Sequence, residues 1–216
     1  SRGLGDVYKR QAEAATEAAA ETAEAAKEKV EPAVEAATEA VAETAEAAKE
    51  KWGEGEVDLV LVEAQDMAGQ QTLEQRTLGI IAGIKEGLPD FPEDNIVRFE
   101  GGVNVDEAAE AVATQLEAHP EAEHVLVGML GDSNAIAALN YTESASAELL
   151  SAGIGGDDVG IAALRSGSPE GFVGSTLFRP ENYGYDLIPL GCDLLAGKQI
   201  PPELFITHVF LNAENL

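Results

Sequence analysis

The chain has 216 residues, 45% of them hydrophobic, and a formal net charge of −27, a length that holds one domain of ordinary size or two small ones. No basic stripe is present to neutralise phosphates, which excludes nucleic acid and an anionic membrane surface as partners, and the charge itself reads as a solubility device. No window reaches eighteen apolar residues, so direct membrane insertion is not expected; the lone cysteine, Cys192, allows no internal disulfide and is expected to be a small buried residue.

In chain order, residues 1–11 (SRGLGDVYKRQ) lack a starting methionine and match nothing around them in composition. They resemble the translated adapter remnants at the ends of metagenomic reading frames. A non-native scar is expected there, with the natural gene product beginning further upstream. Residues 12–52 are rich in Ala, Glu and Lys, all strong helix formers. The sequence of residues 14–29 returns at 36–51 with one change, Ala19 becoming Val41. Pro32 stands where it can begin a second helix. Pairs such as Glu46–Lys49 add i,i+3 support. The apolar face is alanine, with Val30, Val34 and Val41 the only larger residues, so a strong coiled coil is not expected. A spacer is one reading of this segment; a low-complexity duplication with no site on it is the simpler one.

From Gly53 the periods alternate. Apolar runs of strand length stand at 57–64, 95–102, 123–130, 158–164, 171–178 and 204–211. Helical spacing fills 70–88, 105–120, 132–153 and 180–198, the last despite Pro189. Asp132 or Ser133 would cap the third of these helices, with Gly153 past its end. Strands alternating with helices of this length predict an α/β fold: an open, mostly parallel sheet with helices on both faces. Ligands of such sheets sit beyond the carboxyl ends of the strands. The segments predicted there are Glu63–Met67, Gly101–Asn104, Met129–Asp132, Leu164–Gly167 and Phe178–Arg179. Their carboxylates, amides, arginines and aromatic ring suit a polyhydroxylated ligand.

Catalytic patterns are absent. The chain has no G-x-S-x-G elbow, no Walker loop and no G-x-G-x-x-G after a strand. "GIGGDD" (153–158) reads as a helix end and turn rather than a phosphate cradle, and Asp157 and Asp158 as a solvated turn before a strand. His119, His124 and His208 lack metal-ligand spacing; the first helps end a helix and the other two border strands. No nucleophile has its base, so no enzyme, cofactor or metal is expected.

From about Trp52 to Leu216 the order of motifs resembles the type I periplasmic binding proteins, the sugar-binding subunits of ABC importers, and within them the proteins related to ribose-binding protein. The carriers are "EQRTLGIIAGI", "AHPEAEHVLVGMLGDSNAIAAL", "GIGGDDVGIAAL", "GSTLFRPENYGYDLIPLGCDLLAGKQIPPELF" and "THVFLNAEN". The resemblance implies a ligand held between two similar lobes joined by three crossings, closing like a hinged clamp. It implies a sugar or related polar solute as ligand and a membrane permease as partner. It also implies a periplasmic protein or extracellular lipoprotein. The effector domain of a LacI-type regulator is the alternative.

By the same resemblance Arg76 clasps the sugar and Asp132 and Phe178 stand at positions of ligand contacts; Asp66, Asn104, Asn134 and Arg165 are the further ligand-binding candidates. The family often reads Asn-Asp where this chain has Gly131–Asp132, and Leu164–Arg165 stand where an aspartate is usual. The likeness covers the second lobe (53–216) and the final crossings. The helix in 181–202 would belong to a first lobe whose sheet is absent. Its Leu187, Ile188, Leu190, Leu194 and Leu195 would then lack their cover, unless the repeat lies over them.

Overall fold

The computed structural model describes residues 42–65, 71–102, 104–142, 145–201, 204 and 208–216. The expected scar at 1–11, the first copy of the repeat and Asp66 lie outside the described residues. The elements are helix α1 (42–52), β1 (Leu59–Ala64), α2 (Gln71–Gly87), β2 (Ile96–Glu100), α3 (Val105–Ala118), β3 (His124–Gly128), α4 (Asp132–Tyr141), β4 (Glu148–Gly155), α5 (Asp158–Ser166), β5 (Phe172–Leu177), α6 (Tyr183–Leu195) and β6 (Val209–Leu211).

The six strands form one sheet in the order β2-β1-β3-β4-β5-β6. The first five are parallel and β6 pairs antiparallel with β5, Leu177 opposite Val209. Both faces are covered, so the strands read as near-continuous apolar runs. Alternation along each strand still sorts the side chains. Leu59, Leu61, Val125 and Val127 face α3, α4 and α5. Val60, Val62, Leu126, Leu150 and Ile154 face α1 and α2. This is the α/β architecture predicted from the alternating periods.

Two predicted elements are corrected. The helix predicted over 132–153 ends at Tyr141, and Glu148–Gly155 is instead the sheet's fourth strand. Its side chains from Leu149 to Ile154 are all buried, so no alternation marked it, while alanine and leucine imitated helix. Gly153 is therefore strand rather than a helix end. The run predicted as a strand at 158–164 is helix α5. Asp157 caps it, its side chain accepting from the Gly160 amide at 3.0 Å, and Gly167 closes it at φ 66°, a left-handed conformation suited to glycine. The aspartate pair is thus a helix start, and the segment predicted in the crevice at Leu164–Gly167 is a helix end. Of the strand predicted at 204–211, Val209–Leu211 is formed.

Helix α1 shows what the second copy of the repeat does. Ala45 and Ala48 are fully buried against the sheet and α2. A Cβ added at Gly87 would stand 2.5 Å from the Ala45 Cβ and 3.2 Å from the Ala42 Cα. The alanine face is a close-packing surface, and larger residues would hold the helices apart. Lys49 pairs with Glu46 at 2.6 Å, and Lys51 ties the helix end to Glu148 at 2.5 Å. The described part of the repeat therefore covers the sheet rather than the helix at 181–202. Gly87→Val is expected to cost about 1–3 kcal/mol through overpacking, read as a lower urea midpoint. An unchanged midpoint would mean that α1 is not seated on α2.

Helix α6 buries no residue. Tyr185 is 80% exposed and Leu195 90%, with Leu187, Ile188 and Leu194 exposed beside them. Cys192 lies on this helix and is exposed, not buried as predicted. The apolar content that suggested a core position belongs to a helix that packs no face on the sheet.

Candidate functional site

The strand order reverses direction at β1. The chain leaves β1 for β2 on one side, and every later parallel strand is added on the other. Such a switch point leaves a crevice beyond the carboxyl ends of the strands, between β1 and β3. Three polar constellations stand along that edge.

The first centres on Glu63, near the end of β1, which is 0% exposed. Its Oε2 accepts the Leu130 amide at 2.7 Å, and its Oε1 accepts the Asn134 side-chain amide at 2.8 Å. Its backbone carbonyl accepts from the Thr77 hydroxyl at 3.0 Å. Burial pushes the carboxyl above its ordinary range, and the two donors pull the other way. Gly101 passes so close to this carboxylate that a Cβ there would collide with it. Glu63 therefore pins the turn after β3 to the end of β1.

The second centres on Asp132, also 0% exposed. It is the first residue of α4, while the cap position is Gly131. Its Oδ1 accepts the Ser175 hydroxyl at 2.5 Å and its Oδ2 the Asp157 amide at 3.0 Å. Ser175 Oγ in turn accepts the Gly156 amide at 2.9 Å. One carboxylate thus ties the ends of β3, β4 and β5 together. Gly153 and Gly160 flank it so tightly that a Cβ at either would strike it. Burial raises this carboxyl as well, opposed first by the bond from Ser175.

The third lies at the mouth of the crevice. Arg76, on the second turn of α2, donates from Nη1 to the Leu130 carbonyl at 3.1 Å. Its guanidinium lies 4.8 Å over the Phe178 ring centre. His208 meets that ring edge-on at 4.9 Å, and its Nδ1 is buried with no partner among the described residues. Burial lowers the pKa of Arg76, with the Tyr183 phenol acting the other way. Burial, then the Arg76 charge, holds His208 below the usual histidine range.

Of the predicted site residues, Arg76 and Phe178 are brought together. Asn134 lies on the same edge, but its amide is engaged by Glu63. Asp132 is sealed inside, a structural tie rather than an exposed group. Asn104 is exposed at the end of β2 and caps α3, accepting from the Glu107 amide at 3.0 Å. Arg165 is exposed on the last turn of α5, at the opposite end of the sheet. Sequence reasoning missed Glu63 as a pin, and Tyr183 and His208 as neighbours of Arg76. A lone carboxylate inside the run LVLVEA was a signal for the first. Nothing local marked His208, which reaches Phe178 because β6 folds back antiparallel on β5.

The constellation offers a fixed fork of donors and a ring that holds it in place. Ser175 is consumed by Asp132, and no described side chain couples a nucleophile to a base. The arrangement is suited to binding.

No protein-family model matches the chain, and a comparison with curated proteins finds no match. Solved structures do match. A periplasmic solute-binding protein of an ABC transporter from Actinobacillus succinogenes, with bound D-allose, is similar at 17% identity and a TM-score of 0.64, over 85% of this chain and 60% of its own. A carbohydrate transporter solute-binding protein from Agrobacterium radiobacter, in complex with D-arabinose, gives 20%, 0.65, 84% and 59%. A glucose-galactose binding protein from Geobacillus stearothermophilus gives 17%, 0.60, 83% and 61%. The chain thus spans about 60% of the length of the structures it matches. Its fold is that of one lobe of these binding proteins, and these neighbours are binding proteins rather than enzymes.

Proposed function

We propose that this chain carries one lobe of a two-lobe sugar clamp, the solute-binding subunit of an ABC import system. The observation that carries the proposal is Arg76. Its guanidinium is fixed between the Leu130 carbonyl and the Phe178 ring, at the switch point of a sheet shared with sugar-binding proteins. A planar fork of donors suits vicinal hydroxyls. The intact protein works outside the cytoplasmic membrane and hands its ligand to a membrane permease. Among the described residues no helix is long and apolar enough to cross a membrane, which fits a subunit that meets its permease from outside. The uncovered face of α6 fits the same reading, as the place where the second lobe rests.

A clamp encloses its ligand, and pockets commonly bury about 70–90% of a bound small molecule. The described residues supply one wall. Water competes at every hydroxyl of a sugar held on that wall. Losing several contacts at about 1 kcal/mol each moves a micromolar binder to millimolar or weaker. Calorimetry of the full chain against pentoses and hexoses should therefore show no micromolar binding. NMR at high sugar concentration should move the signals of Arg76 and Phe178. A saturable micromolar heat would sink the one-lobe reading, and shifts confined to other residues would sink the site.

A further inference from the structure

The charge around Arg76 is unbalanced. A half-buried guanidinium is costly without a counter-charge, yet among the described residues no carboxylate lies within ion-pair distance of it. Its described partners are a carbonyl oxygen and the face of a ring. Two carboxylates of this edge, Glu63 and Asp132, are fully sealed, and the oxygens of each accept hydrogen bonds from protein donors. The groups gathered nearest are aromatic or basic: Phe178, Tyr183 and His208, with the exposed Arg179 next in sequence. Four of the five guanidinium N–H donors remain after the bond to Leu130.

We infer that this crevice takes a sugar bearing a carboxylate, with Arg76 as its counter-ion and Phe178 as the buttress that aims the guanidinium. The inference rests on the sugar-clamp reading and adds the ligand's charge. On the described wall a neutral sugar leaves the Arg76 charge uncompensated. A sugar acid supplies the missing anion and can meet the guanidinium fork with two parallel bonds between opposite charges, where a neutral hydroxyl offers only a polar acceptor. The chain's net charge of −27 does not forbid this, because exposed charges beyond about 8 Å are screened at physiological salt. His208 touches the same ring and lies within reach of the Arg76 charge, so its ring signals report occupancy.

The test is an NMR titration of the full chain at pH 7.5 in 0.15 M salt, with D-galacturonate, D-galactose, acetate and glucose 6-phosphate as separate probes. D-Galacturonate should move the Arg76, Phe178 and His208 signals with a half-saturation at least about ten-fold below that of D-galactose. Arg76→Gln should erase that difference, and Arg76→Lys, which keeps the charge, should retain most of it. Equal or tighter binding of galactose overturns the inference and leaves the sugar reading standing. Acetate as effective as galacturonate overturns it by showing that no sugar is recognised. Tighter glucose 6-phosphate overturns the assignment to carboxylates. Silence towards every probe overturns the inference together with the reading beneath it.

Discussion

Asp132→Ala is expected to lower the stability of the chain by about 2–5 kcal/mol. The carboxylate has no contact with solvent, and its loss strands the Asp157 amide and the Ser175 hydroxyl. Each buried group left without a partner costs about 1–3 kcal/mol, and the space left beside Gly153 and Gly160 adds to that. Relief from burying a charge offsets part of the sum. Asp132→Asn should cost far less. The remaining oxygen still accepts one amide, and the new NH2 can donate to Ser175 Oγ, which has a second lone pair. Urea unfolding at pH 7.5 separates the two variants. An alanine variant within about 0.5 kcal/mol of the parent, the range of neutral surface changes, would show that the carboxylate ties nothing together. Sugar binding should follow stability here, because the side chain is sealed from any ligand.

This tie also shows what the sequence could and could not disclose. The alternation of strand and helix was legible for β1, α2, β2, α3 and β3 because each carries its own period and its own stop. It failed at β4 and α5. A central strand buried on both faces has no alternation to read, and α5 is short, its apolar run from Val159 to Leu164 being of strand length. Asp157 as an N-cap, with Gly167 at the end, was the helix signal that apolar content outweighed. Arg165 was expected in the crevice through that misreading, and it stands at the far end of the sheet.

Arg76 and Phe178 were picked out through the family resemblance as candidates. Their mutual contact was not legible, since it joins residues 102 positions apart across the fold. Asp132 and Asn134, both expected at the ligand, are engaged from within the protein, Asp132 wholly and Asn134 through one bond to Glu63. A polar side chain at a strand end can face a ligand or tie down the backbone, and only the packed structure decides between them. Here the Ser175 hydroxyl and the Asp157 amide hold Asp132, and Glu63 accepts one bond from Asn134.

Glu63 and Asp132 should each add stability as the pH is lowered through their raised folded-state range towards their ordinary values, and Glu63→Gln should reproduce the Glu63 share of that gain at pH 7.5. Glu63 and Asp132 are both raised in the folded state above ordinary values of 4.5 and 3.8, burial being the main cause. Such groups contribute stability that is full below the unfolded pKa and is lost as pH rises through the folded one. His208, held below its ordinary value of 6.5 by burial and then by the Arg76 charge, acts in the opposite sense as the pH falls through that value. Glu93 and Glu148, lowered by their lysine partners, also oppose the gain. They are exposed ion pairs, however, so their contribution is small. Acid also relieves the self-repulsion of a chain at −27, which adds to the buried carboxylates rather than opposing them. Glutamine at position 63 removes the buried charge and keeps the bonds. Its oxygen accepts the Leu130 amide, and its NH2 donates to the Asn134 oxygen once that side amide turns over. Thermal melts across pH should therefore show a higher midpoint at neutral pH and a flatter slope for Glu63→Gln. Glu63→Leu should instead lose about 2–5 kcal/mol, because the Leu130 and Asn134 donors are then buried without partners. A melt of Glu63→Gln no more stable than the parent at pH 7.5, with an unchanged slope, would place the pH sensitivity elsewhere. Leu130 links this buried pin to the mouth of the crevice, since its amide is held by Glu63 and its carbonyl holds Arg76. The leucine variant should therefore also release the guanidinium, and the glutamine variant should leave it in place.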